Sequence, residues 1–172
     1  MTNKEFFQQC WRSELTPTIT ALKALGATDK IHWKPAEKNR TAKQLVDHFI
    51  SHAEDLIEGV ETGVINHRVT ADYPTVENAI EAFEKDTDKL MAALDKVDDK
   101  TWDEKVVPMN VFGNKVGENT LGGMCWMFLF DIIHHRGQLS TYYRPMGLTQ
   151  PSIYGPTAEM VEAMMAQMAS AN

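Results

Sequence analysis

The sequence predicts an all-α protein: a four-helix bundle with a long crossover before its fourth long helix and a short C-terminal helix. Three observations carry this. Apolar residues recur at three- and four-residue spacings in four separate stretches, and Pro or Gly punctuates the chain between them. Residues 98–117 behave differently, with Trp102, Val106, Val107, Val111 and Phe112 set among Pro108, Gly113 and Gly117. Four amphipathic helices each need one face covered, and packing them on one another supplies the cover. A chain of 172 residues without a repeat, a low-complexity tract or a long linker reads as one domain over 1–172.

The first helix spans residues 3–25, with Phe6, Phe7, Cys10, Leu15, Ile19, Leu22 and Leu25 on its apolar side. Pro17 lies inside this pattern and is expected to kink or restart it, and Gly26 ends it. After a loop broken by Pro35, Thr41 is placed to cap a second helix, with Gln44 completing a capping box. Leu45, Phe49, Ala53, Leu56 and Val60 carry that helix to about residue 60. A third helix over 76–97 sets Ile80, Phe83, Leu90, Leu94 and Val97 opposite a solvated face of Glu77, Glu81, Glu84, Lys85 and Asp88. Residues 98–117 read as an irregular crossover with a short hairpin turning at Gly113-Asn114. The fourth long helix lies within 118–147 and is stopped by Pro145 and Gly147. A last short helix starts at Pro156 or Thr157 and carries Met160, Met164 and Met168 in a stripe.

Composition removes several function classes. A net charge of −7 and a pI near 5.3 argue against a nucleic-acid backbone as partner. No stretch of about 18 apolar residues is present to span a membrane, and the first residues lack a signal peptide's apolar run. Cys10 and Cys125 lie far apart in apolar helical surroundings and read as free thiols of a cytoplasmic protein.

The fourth helix carries the chemistry. At about 100° per residue, Met124, Phe128, Asp131, His135, Leu139 and Tyr142 fall close to one line, so an apolar stripe is interrupted by a carboxylate and an imidazole one turn apart. Burying Asp131 there unpaired costs several kcal/mol. A metal ion, a charged partner or a polar cleft must offset that cost. Asp131 and His135 at i, i+4 present an oxygen and a nitrogen side by side, as helices present two ligands to one ion. The second helix adds His48 and His52 at the same spacing, His52 nearer the centre of the buried arc and His48 at its edge. His134 and Arg136 each point about 100° away from His135, which keeps His134 off the same ion and places Arg136 at the rim.

The runs HHRGQLSTYYRPMG (134–147), PSIYGP (151–156) and TAKQLVDHFISHAE (41–54) resemble the DinB-like (damage-inducible) superfamily in order and spacing. That resemblance implies a four-helix bundle with a pocket of three histidines, which carried onto this chain are His48, Asp131 and His135. Asp131 stands where the family usually has a histidine, which moves the preference of a divalent ion from zinc or nickel toward manganese or iron(II). The resemblance further implies a thiol-dependent S-transferase acting on a small molecule with a low-molecular-weight thiol, with His52 as base or outer partner. The alternatives are a metal-dependent hydrolase and a non-catalytic metal-binding or stress-related bundle. Gln138, Tyr142 and Arg144 are expected to line or brace the pocket. Family habit and ten methionines predict a homodimer.

Overall fold

The computed structural model describes residues 1–26 and 28–170. Thr2 opens α1 (Asn3–Leu25) with a capping box, its hydroxyl accepting from the Glu5 amide while the Glu5 carboxylate accepts from the Thr2 amide. α1 runs through Pro17 without restarting. A proline inside a helix costs about 3 kcal/mol. Burial of Trp11, Leu22 and Leu25 on either side, at about 1.5–3 kcal/mol each, outweighs it.

The capping box of Thr41 and Gln44 opens α2 (Ala42–Ile50) as the sequence predicts. The single helix expected to about residue 60 is instead two, α2 and α3 (His52–Thr62), parted at Ser51. Buried Ser51 donates its hydroxyl to the His48 carbonyl, competing for an acceptor the helix would otherwise use. Gly63, at φ 81°, closes α3 in the left-handed region. α4 (Val76–Leu94) is capped by Thr75 and ends three residues short of the expected 97, and Asp98 caps α5 (Asp99–Glu104).

The all-α expectation needs correction: the chain is mostly helical but holds a small three-stranded sheet. β1 (Ile65–Asn66) pairs in parallel with β2 (Val106–Val111), which pairs antiparallel with β3 (Asn114–Thr120). The hairpin turns at Phe112-Gly113, both at positive φ, one residue before the expected turn. Only Ile65 and Val107 of the sheet are buried, so there was almost no alternating apolar pattern to read.

Thr120 caps α6 (Leu121–Ser140), and Gly122 lies so close to Trp102 that a Cβ there would meet its Nε1 at 2.5 Å. α6 ends at Ser140 rather than at Pro145. The turns after it bury Tyr142 and Tyr143, whose hydroxyls donate to the carbonyls of Arg40 (3.0 Å) and Ala21 (2.5 Å). One core joins α1 (Phe7, Trp11), α2 (Phe49), α3 (Leu56), α4 (Phe83, Leu90) and α6 (Leu129, Ile132). α7 (Ala158–Ser170) buries no residue. Among the described residues no helix is long and apolar enough to cross a membrane.

Candidate metal centre

α2, α3 and α6 meet where the core gives way to a cleft, and the expected site residues come together there. His48 arrives from α2, His52 from the first turn of α3, and Asp131 and His135 from successive turns of α6. Three imidazole nitrogens converge on one oxygen. Asp131 Oδ2 lies 2.8 Å from His52 Nε2, 3.4 Å from His48 Nε2 and 3.3 Å from His135 Nε2. His48 and His135 are 8 % exposed and His52 1 %, in the order the helix wheel gives for the second helix. Asp131 is not buried as its place on the stripe implied: its side chain is 38 % exposed, because the stripe reaches the cleft at that turn.

Protonation follows from the partners. His135 Nδ1 donates to Gln138 Oε1 at 2.7 Å, the tautomer in which a neutral ring turns its Nε2 lone pair toward the site. Arg40 Nη1 donates toward that lone pair at 3.4 Å. Burial lowers the His48 pKa to about 4 against the pull of Asp131 at 3.4 Å, so this ring is neutral at neutral pH. Burial would raise the Asp131 pKa, yet the His135 and His48 imidazoles beside it and the hydrogen bond from His52 hold it far below the usual carboxylate range. For His52 burial favours the neutral form, but Asp131 and Asp55 on its two sides prevail and raise its pKa.

These donors fit an ion. Ligand atoms about 2.0–2.2 Å from a tetrahedral ion stand about 3.4 Å from one another. The two separations between histidine nitrogen and Asp131 Oδ2 match that edge, and one ligand atom each from His48, Asp131 and His135 lies within 4.8 Å of the others. Two imidazoles and one carboxylate leave further positions open.

A second trio, His52, Asp55 and His67, meets the same 4.8 Å criterion. Asp55 is fully buried and accepts from His67 Nδ1 (2.7 Å), Arg68 Nη1 (2.8 Å) and the Arg68 amide (3.2 Å). The Arg68 guanidinium already balances this carboxylate. His67 and Arg68 follow β1, in a stretch where the sequence offers no period, and no motif pointed to them. The Asp55 position, three residues after His52 on one helix, was the available signal.

A cavity of about 420 Å³ opens beside the cluster, walled by Met109, Met127, Phe128 and Phe130 and touched by His52 and Asp131. His134 points outward and pairs with Gln138. Arg136, expected at the rim, is instead 1 % exposed, bonded to Glu14, Thr18 and Tyr154. Its long side chain crosses to α1, where a carboxylate and a hydroxyl satisfy the buried charge. Tyr142 is a packing residue, and Arg144 pairs with Glu159 on α7 rather than lining the cavity.

A sequence model of the DinB superfamily matches residues 11–139, a span that includes all four site residues. The chain belongs to the DinB superfamily. Among curated proteins it is similar to YjoA of Bacillus subtilis, 25% identical over 126 residues (73% of this chain, 80% of YjoA). It is also similar to YrdA of the same organism, 26% identical over 160 residues and 90% of each chain. Among solved structures, the DinB-like protein YjoA superposes with a TM-score of 0.64 at 20% identity, covering 88% of this chain and 99% of that one. A DinB-like protein from Bacillus cereus gives 0.65 at 22% identity, covering 87% and 97%. At these identities the superpositions establish a DinB-like fold. Within this DinB-superfamily chain, α7 lies beyond the matched span.

Proposed function

We propose that this protein is a metal-dependent enzyme in which His48, Asp131 and His135 hold one divalent ion, and that a low-molecular-weight thiol there attacks an electrophilic small molecule with an apolar body, the new carbon–sulfur bond forming as a leaving group departs and the thiol gives up its proton. One observation carries the reading: two histidine nitrogens stand 3.3 and 3.4 Å from Asp131 Oδ2, at the wall of an apolar cavity. An ion bound there would lower the pKa of a coordinated thiol so that thiolate forms near neutral pH. The donor set suits zinc, nickel, manganese or iron(II), with the carboxylate favouring the harder pair. Gln138 fixes the His135 tautomer. His52, against the cavity and backed by Asp55, orients Asp131 and is the proposed group for exchanging a proton with substrate. Met109, Met127 and Phe130 keep water from the apolar partner.

In this reading α1, α2 with α3, α4 and α6 are the four long helices of a bundle, α2 and α3 counting as one bent helix. The free Cys10 and Cys125 suit a reducing cytoplasm. Met160, Val161, Met164 and Met165 are exposed along one face of α7, and a second copy is proposed to cover it. Light scattering at micromolar concentration should then give about twice the 19.4 kDa chain mass. A clean monomer ends that part of the proposal.

A second reading has its own support. Asp131 already meets three imidazoles, so the carboxylate is partnered without an ion, as in a non-catalytic bundle. Elemental analysis of protein purified without added metal, followed by calorimetric titration with manganese, iron(II), nickel and zinc, separates the two. Absence of binding for all four ions would rule out the metal centre.

A further inference from the structure

Three hollows meet around the His48, Asp131 and His135 cluster. The apolar cavity shares His134 with a hollow of about 550 Å³ between α6 and the 35–39 segment. That hollow shares Asn39 with a third, of about 360 Å³, which reaches His48. Shared wall residues set the hollows side by side, and the two outer ones, which adjoin the cluster through Asp131 and His48, are of opposite character. At the far end Lys34, Lys38 and Arg40 face one carboxylate, Glu37, although the whole chain carries a net charge of −7.

The cations there are not spent on the protein. Lys38 and Arg40 form no salt bridge among the described residues, and Lys34 Nζ donates to the Glu37 carbonyl at 2.5 Å. Arg40 Nη1 stands 3.4 Å from His135 Nε2, so the cationic end reaches the cluster itself. His48, 8 % exposed and part of that wall, keeps a buried Nδ1 without a partner.

We propose that the three hollows act as one groove and bind one amphipathic anion, its apolar body among Met109, Met127 and Phe130 and its carboxylate against Arg40, Lys34 and Lys38. This names the substrate class for the site proposed above and rests on that reading for its chemistry. The two ends set the orientation. A carboxylate in the apolar cavity would lose its hydration without a counter-charge, and an apolar group among three cations would bury nothing. Arg40 is the selecting residue, because its fork donates two parallel hydrogen bonds to a carboxylate.

The test uses the full chain, freed of metal by chelation, titrated calorimetrically at low salt with phenylbutyrate, its neutral amide and the corresponding amine. The acid should bind about five-fold more tightly than the amide, the amine should bind most weakly, and added salt should shrink the difference. The triple variant Arg40→Gln, Lys38→Gln, Lys34→Gln should bind acid and amide equally, whereas Phe130→Ser should weaken both alike. Equal binding of acid and amide by the wild type, or a preference that survives the triple variant, overturns the proposal. His135→Ala serves as the control. It should keep the acid preference while losing the ion, so a failure of the metal centre and a failure of the groove give different results.

Discussion

Two trios of the same residue types lie side by side in this protein. His48, Asp131 and His135 form one, and His52, Asp55 and His67 the other. Donor chemistry alone does not separate them. In the second trio the carboxylate is fully buried, and a guanidinium, an imidazole and a main-chain amide already satisfy it. A cation entering there would have to displace Arg68. In the first trio the carboxylate reaches the cleft, one imidazole is neutral, and a histidine lone pair faces inward. Arg40 stands near, but on a nitrogen rather than on the carboxylate, and from an exposed position. A guanidinium on the carboxylate makes a structural cluster, and its absence leaves a site able to take an ion. His52 belongs to both trios, so it ties the open site to the rigid one.

The largest expected effect falls on the closed trio. Asp55→Asn should destabilise the protein by about 3 kcal/mol, the low end for a broken buried pair because Arg68 is partly exposed. Asp131→Asn in metal-free protein should cost about 1 kcal/mol or less. The Asp55 effect should depend on pH. Burial would raise its pKa, but the His52 imidazole 3.7 Å away and the hydrogen bonds from His67 and Arg68 hold it well below the ordinary carboxylate value. An unfolded chain therefore takes up a proton near pH 4 that the folded chain refuses, and the stabilisation is present above that pH and lost below it. Urea melts of wild type and Asp55→Asn should converge as pH falls below about 4. A constant difference across that range would break the comparison.

Ion affinity comes next. His135→Ala should lose more than about 100-fold in divalent-ion affinity, while His67→Ala keeps one ion per chain. Equal losses would show that the two trios are not distinct. Asp131→His, which replaces the carboxylate by an imidazole, should shift preference about ten-fold from manganese toward zinc or nickel, and zinc should raise its melting temperature. A lowered melting temperature that zinc does not rescue would favour the site without an ion. The smallest effect is expected from Gln138→Ala, about ten-fold or less in affinity with ion selectivity unchanged, because Gln138 acts only through the His135 ring.

Much of this was written locally. The Thr41-Gln44 capping box, the apolar spacings of α1, α4 and α6, and the i, i+4 pairs His48/His52 and Asp131/His135 depend on residues within a turn or two of each other, and sequence carries such relations directly. The remainder was settled between distant segments. Ser51 parts α2 from α3 through a hydrogen bond that helical periodicity does not encode. β1 exists because β2, more than 40 residues later, offers it a ladder, and a two-residue strand has no period of its own. Arg136 turned inward because Glu14 and Thr18 wait on α1, and a helix wheel gives a direction without saying what stands there. The Asp131 and Asp55 carboxylates differ for the same reason. The side chain that compensates Asp55, Arg68, comes from a loop 13 residues away, and only the folded chain puts it there.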